Sequence, residues 1–246
     1  MMRWRRSAVA IALLCGLWGQ RLAHTENMPV SRAASPPYGP LRLVNQQPTQ
    51  LLFLQQFPDL ASPVERGRVL AHVNVALTNT LAQEEGEIFP RLNLEMVRTV
   101  VDLRYGLHPD VEMGLEIPIL YTYGGILDAF ISGIESFFSD ERIDRREEEN
   151  GAFIYEVSRG DRPLIRGRED AVGLGEVILK AKIRLSREQR YLPAVSLRLA
   201  VKFPTGSTSR AFGSGKLDGG FGLLLQYTLG HWTFYINADM TIPGQA

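Results

Sequence analysis

Val111-Glu112-Met113-Gly114-Leu115-Glu116-Ile117-Pro118-Ile119-Leu120-Tyr121 is the stretch on which the reading of this chain turns. Val111, Met113, Leu115, Ile117, Ile119 and Tyr121 share one parity, whereas Glu112, Gly114, Glu116 and Pro118 share the other. Successive side chains of a β-strand point to opposite faces, so this spelling needs apolar surroundings on one side and a place for carboxylates on the other.

Working outward, the same alternation recurs over residues 68–79, 92–107, 173–185, 191–203, 217–229 and 232–242. Each stretch is long enough to cross an apolar band of ~25 Å when tilted. The connections alternate in length as well. Residues 80–91, 122–172 and 204–216 are long, while 108–110, 186–190 and Gly230-His231 are short. Outer-membrane barrels show this rhythm because their turns face the periplasm and their loops face outward. Tyr105, Tyr191, Tyr227 and Trp232 fall beside the short turns, and Tyr121, Phe203 and Phe221 beside the long loops, as interfacial aromatics do. A secreted β-sandwich also alternates and would bury the same aromatics, but strands this long and this loop rhythm are not its habit. The expected fold class is all-β, an antiparallel transmembrane β-barrel of the outer-membrane type.

The N-terminus supplies an address. Arg3, Arg5 and Arg6 precede an apolar run over residues 8–18, too short to span a bilayer and of the length of a secretory signal. A signal over residues 1–23 and a periplasmic lead-in over 24–40 are expected, with the barrel domain over 41–246. Cys15 lies within the run behind Leu14, where a lipid-attachment site wants a small residue. Removing residues 1–23 takes away four arginines and no acid, leaving 23 bases against 27 acids and no cysteine. Disulfides then contribute nothing, and the weakly acidic balance argues against nucleic acid as a partner. The expected partners are membrane lipids and the outer-membrane assembly machinery of a Gram-negative cell.

Residues 50–57 read either as a further strand or as a segment tucked into the barrel, and 152–157 as another short strand. The chain stops at Pro243-Gly244-Gln245-Ala246 instead of on an aromatic residue. The expectation is a barrel incomplete on its C-terminal side.

Taking the polar parity as lumen, the lining consists of Arg98, Asp102 and Arg104, then Glu112 and Glu116, then Glu176, Lys180, Lys182 and Arg184, then Arg198 and Lys202. Pairing across the tight turn at 108–110 keeps parity and is expected to set Arg104 opposite Glu112. Acidic and basic columns on neighbouring strands form either the field of a selective pore or a neutralised, closed interior. The excess of bases on the last two of these strands points to anionic solutes.

The long loop opens with an amphipathic helix over residues 126–139, whose apolar stripe is Ile126, Phe130, Ile134 and Phe138. Rim packing, a lid at the mouth and a place in the outer leaflet are its three readings. Residues 140–150 form a dense charge run suited to a solvated loop.

Chemistry-bearing motifs are sparse. His72, His108 and His231 are scattered, with no spacing for a metal, and no cofactor loop is present. His72 with Ser196 is the one base and nucleophile combination on the lumen parity.

Several segments together resemble the bacterial family catalogued as domain of unknown function 3187. They are Gly39-Pro40-Leu41 with Asn45-Gln46, Tyr105-Gly106 leading into residues 111–118, Gly124-Gly125-Ile126-Leu127-Asp128 with Phe137-Phe138, Gly173-Leu174-Gly175-Glu176, and Lys202-Phe203-Pro204-Thr205-Gly206. The similarity covers residues 39–242, with Glu176 in place of an expected Asp. It implies an outer-membrane protein and carries no functional residues across. The expected function is a passive channel or ligand-binding pore for small polar or anionic solutes. A closed-lumen structural or adhesion barrel is the alternative, and a lipid-modifying barrel enzyme using His72 the third reading.

Overall fold

The computed structural model describes residues 39–83, 87–125 and 153–244, together with the backbone of Leu13–Leu14. The helix expected over 126–139 and nearly all of the expected signal lie outside the described residues. Among the described residues every long element is a β-strand, and all belong to one antiparallel sheet.

In chain order the strands are β1 (Leu13–Leu14), β2 (Val69–Gln83), β3 (Ile88–His108), β4 (Val111–Tyr123), β5 (Ile154–Arg159), β6 (Arg162–Arg166), β7 (Ala171–Leu174), β8 (Ile178–Ser186), β9 (Ala194–Lys202), β10 (Asp218–Leu229) and β11 (Trp232–Ile242). The main path runs β1-β2-β3-β4-β8-β9-β10-β11, with β7 beside β4 and the β5–β6 hairpin beside the start of β3. Apart from β5 to β7, which lie off this path, neighbours in the chain are neighbours in the sheet, which is how alternating strands joined by turns assemble. The sheet is curled into a half-barrel. Asp59 shows the curl directly, because it reaches both Arg104 on β3 and Asn237 on β11, near opposite flanks of the sheet.

Parity holds along the wall. On β4 the even residues from Glu112 to Leu120 are buried, while the odd residues from Val111 to Ile119 are more open. The same phase holds through β8, β9 and β10. Across the two-residue turn it switches, Leu229 facing Trp232, so that on β11 the even residues are the outer ones.

Three local features depart from the expected strands. Arg104 faces Gly114, and Glu112 faces Gly106, two residues from the expected Arg104–Glu112 pairing. The strands meet at His108 and Val111 across a two-residue turn, and a one-residue register shift between Gly106 and His108 restores the pairing of even with even positions. Residues 173–185 do not form one strand. Both β7 and β8 pair with β4, and Ile117 and Pro118 oppose the three residues Gly175–Val177. Pro118 has no N–H, and its carbonyl accepts from Gly175 on that side of β4, so the ladder breaks where a donor is missing and one extra residue bulges out. The expected loop at 80–91 is short, since β3 begins at Ile88 and its first residues pair with β5. The short strand expected at 152–157 is β5.

The segment 41–65 forms no strand and threads the concave side of the sheet. It rises from Arg42 to a 3-10 turn at Gln50–Leu52, then descends through Leu54, Phe57, Asp59 and Ala61 to Gly67, which opens β2. Leu54 packs with Ile178 and Ala200, and Ala61 with Ala194 and Leu224. Beyond the top of the segment, an apolar cluster including Leu92, Leu94, Leu120, Tyr155 and Phe212 closes the loop end. At the turn end, Gly67 donates to the Gly106 carbonyl, and the absent side chain of Gly106 leaves room for the Val64 and Glu65 backbone.

Candidate functional site

The interior is a web of charges fastened to an extended length of main chain that belongs to no strand. All of the expected lining residues except Arg184 are buried on the concave side. Arg104 on β3 lies 2.6 Å from Asp59, 2.9 Å from Asp102 and 3.7 Å from Glu112. Lys182 lies 2.9 Å from Asp59 and 3.2 Å from Glu112. Lys180 binds Glu116 and stands 3.1 Å from Asp102, which also takes Arg42 at 2.5 Å. Lys202 pairs with Glu176 and, at 2.8 Å, with Asp218. Arg198 donates to both carboxylate oxygens of Asp239. Arg184 sits instead at the turn end, 2.6 Å from Asp110.

Two glycines make these reaches feasible. Gly114 on β4 stands between Arg104 on β3 and Lys180 on β8, so the Lys180 chain crosses it to Asp102. A Cβ at Gly114 would lie 3.3 Å from Lys180 Cε. Gly222 on β10 stands between Arg198 on β9 and Asp239 on β11, and a Cβ there would overlap the Asp239 carboxylate.

The wall holds the threaded segment largely by its backbone. Lys202 donates to the Leu52 carbonyl, Arg198 to Phe57 O at 2.6 Å, and Ser196 to the Ala61 carbonyl. Asp218 accepts from Leu54 N at 2.9 Å, and Glu112 from Val64 N at 2.7 Å. An extended segment with no sheet partner would otherwise leave these groups unsatisfied in a dry interior. The side-chain anchors are Phe57, under the guanidinium groups of Arg42 and Arg98 at 5.0 and 5.4 Å, and Asp59. Burial alone would raise the Asp59 pKa, but Lys182 and Arg104 outweigh it and hold the carboxyl well below the usual range.

Sequence reasoning named the wall and missed the partners on the segment, Arg42, Phe57 and Asp59. No alternation marks them, because a threaded chain has no two faces. Asp218 opens a strand and Asp239 lies beyond the phase switch, and parity kept through the Gly230 turn would place Asp239 outside. His72 and Ser196 do not form a pair: Ser196 is fully buried and donates to Ala61, and β3, β4 and β8 lie between their strands in the sheet. Among the described residues no cluster of three or more His, Cys, Asp or Glu could hold a metal ion. No described helix is long and apolar enough to cross a membrane, which says nothing of strands.

Residues 25–243 match the model of the family described as Protein of unknown function (DUF3187), and the chain belongs to that family. Neither the curated proteins nor the solved structures contain a match.

Proposed function

We propose that this member of the family is an outer-membrane β-barrel protein whose own N-terminal segment keeps its interior closed. A secretory signal over residues 1–23 takes it there, and the outer-membrane assembly machinery inserts it. The supporting observation for the membrane is the outward face. Leu103, Leu199 and Leu223 are 38% to 44% exposed on strands whose opposite face is buried and carries Asp102, Arg198 and Asp218, and Phe234 and Ile236 on the neighbouring β11 are exposed as well. A soluble chain does not leave an apolar face of this extent in water, whereas lipid asks for it.

The supporting observation for closure is the occupied interior. Residues 52–64 run where solute would pass, and the wall cations expected to meet a solute hold carbonyls and carboxylates of the chain itself. In this state the protein is a closed structural barrel and does not conduct.

A second reading keeps the passage for small polar or anionic solutes and makes the segment its gate. What favours it is the polar, main-chain character of the hold, which can be exchanged for water, together with the glycine joint at Gly67.

Spin labels at Leu115→Cys, Val195→Cys and Leu223→Cys in reconstituted bilayers test the membrane placement. The proposal expects broadening by dissolved oxygen and little by a polar nickel chelate. The reverse order would reject a lipid-facing surface.

A further inference from the structure

Among the interior cations of the described residues, Arg98 alone has neither an ion pair nor a side-chain hydrogen bond. Arg42, Arg104, Lys180, Lys182, Arg198 and Lys202 each face at least one carboxylate. Arg98 is 6% exposed, and its Nη1 is buried without a partner. Its guanidinium carbon lies 5.4 Å from the centroid of the Phe57 ring. An aromatic ring has no lone pair to accept from the N–H donors, so this contact does not replace a hydrogen bond to them. A buried charge without an acceptor is costly to keep.

Nearby carboxylates do not meet this need. Glu116 binds Lys180 through Oε1, and although its charge acts on Arg98 and its Oε2 is also buried without a partner, no hydrogen bond or ion pair joins the two. Asp102 is taken by Arg42, Arg104 and Lys180. Arg98 instead lines a cavity of about 20 Å³ between the threaded segment and the wall, shared with Leu51, Gln55, Leu120, Glu176 and Lys202. Glu176 is the acidic group in that lining, and it already binds Lys202, Ser214 and the Gly215 N–H. The space suits one or two water-sized atoms and excludes a phosphate ester or a sugar.

We propose that this cavity binds one small monovalent anion, of halide or formate size, held against the edge of the Arg98 guanidinium. Leu51 and Gln55 belong to the segment, and Arg98 and Leu120 belong to β3 and β4, so the bound ion joins segment to wall. The site follows from the interior alone and goes beyond the membrane reading, since it requires neither lipid nor conduction.

The test uses the purified full-length protein with bromide as probe. Crystals grown in sodium bromide are expected to show an anomalous peak within hydrogen-bonding distance of the Arg98 guanidinium. In solution the melting temperature is expected to climb with the logarithm of bromide or formate concentration, at constant ionic strength, and to stay flat in gluconate, which is too large for the cavity. Arg98→Met keeps the contact with Phe57 and removes the charge, and its melting temperature is expected to lose the bromide dependence. Should that variant fail to fold, the wild-type crystal and the bromide and gluconate curves still decide. Water alone at the guanidinium in the bromide crystal overturns the proposal, as does a water bridging Arg98 to Glu116. Equal bromide and gluconate curves, or a peak seen at crystal concentration with no stabilisation in solution, overturn it too.

Discussion

Asp59 Oδ1 and Arg104 Nη1 stand 2.6 Å apart with side chains 8% and 4% exposed, so the segment inside the sheet is tied to the wall by an ion pair that water does not reach. Lys182 holds the other oxygen of the same carboxylate at 2.9 Å. Removing one partner of such a group leaves buried charge uncompensated, which is why the tie is a sensitive point of the fold.

Asp59→Asn is accordingly expected to cost roughly 3–5 kcal/mol. Arg68→Gln, at the exposed pair with Glu65, is expected to cost at most about 1 kcal/mol. Thermal unfolding of the two variants in the same detergent checks the contrast, and equal losses would mean that the interior pair is hydrated.

Acid sensitivity follows from the same carboxyl. Its pKa in the folded chain lies below that of an unfolded Asp, about 3.9. Its stabilisation is therefore complete above about pH 4 to 5 and fades as pH falls toward the folded value. Labelling of a Leu54→Cys thiol by a polar reagent, after exposure to each pH and return to neutrality, is expected to be constant from pH 8 to pH 5 and to rise only in stronger acid. In an Asp59→Asn background that acid step should be diminished.

The glycine crossings rank two further substitutions. Gly222→Ala sets a methyl into the Asp239 carboxylate and severs its bridge to Arg198, whereas Gly114→Ala asks Lys180 to yield slightly. Overpacking of this kind costs roughly 1–3 kcal/mol, and Gly222→Ala is expected at the upper end with Gly114→Ala below it. Melting temperatures give the order, and a reversed order would place the Arg198 to Asp239 bridge outside the well-packed interior.

Lys202→Met removes the partner of Glu176 and Asp218 and the donor to the Leu52 carbonyl together. Hydrogen exchange at the Leu54 amide, held by Asp218, is expected to accelerate while amides in β3 keep their protection. Uniform acceleration across β3 and the segment would show that the two open as one unit.

The wall was legible in the sequence because a strand spells its two faces with period two, and Glu112, Glu116, Lys180, Lys182, Arg198 and Lys202 all lie on the inner parity. Register was not, since setting Arg104 opposite Gly114 instead of Glu112 is a displacement by two residues, which keeps parity and leaves no trace in polarity. The break between β7 and β8 did have a signal, Pro118 on a central strand with no N–H to give. The threaded segment was left between strand and tucked chain because its anchors obey no period. Phe57 and Asp59 share a parity while facing two cations each, a ring under Arg42 and Arg98 and a carboxylate between Arg104 and Lys182.

Single-channel recording of the full-length protein in planar bilayers tests closure most directly. The wild type is expected to show no conductance steps at moderate voltage and neutral pH, and Asp59→Asn combined with Lys202→Met is expected to show intermittent ones. Steady, ohmic steps from the wild type would contradict a lumen filled by residues 41–65.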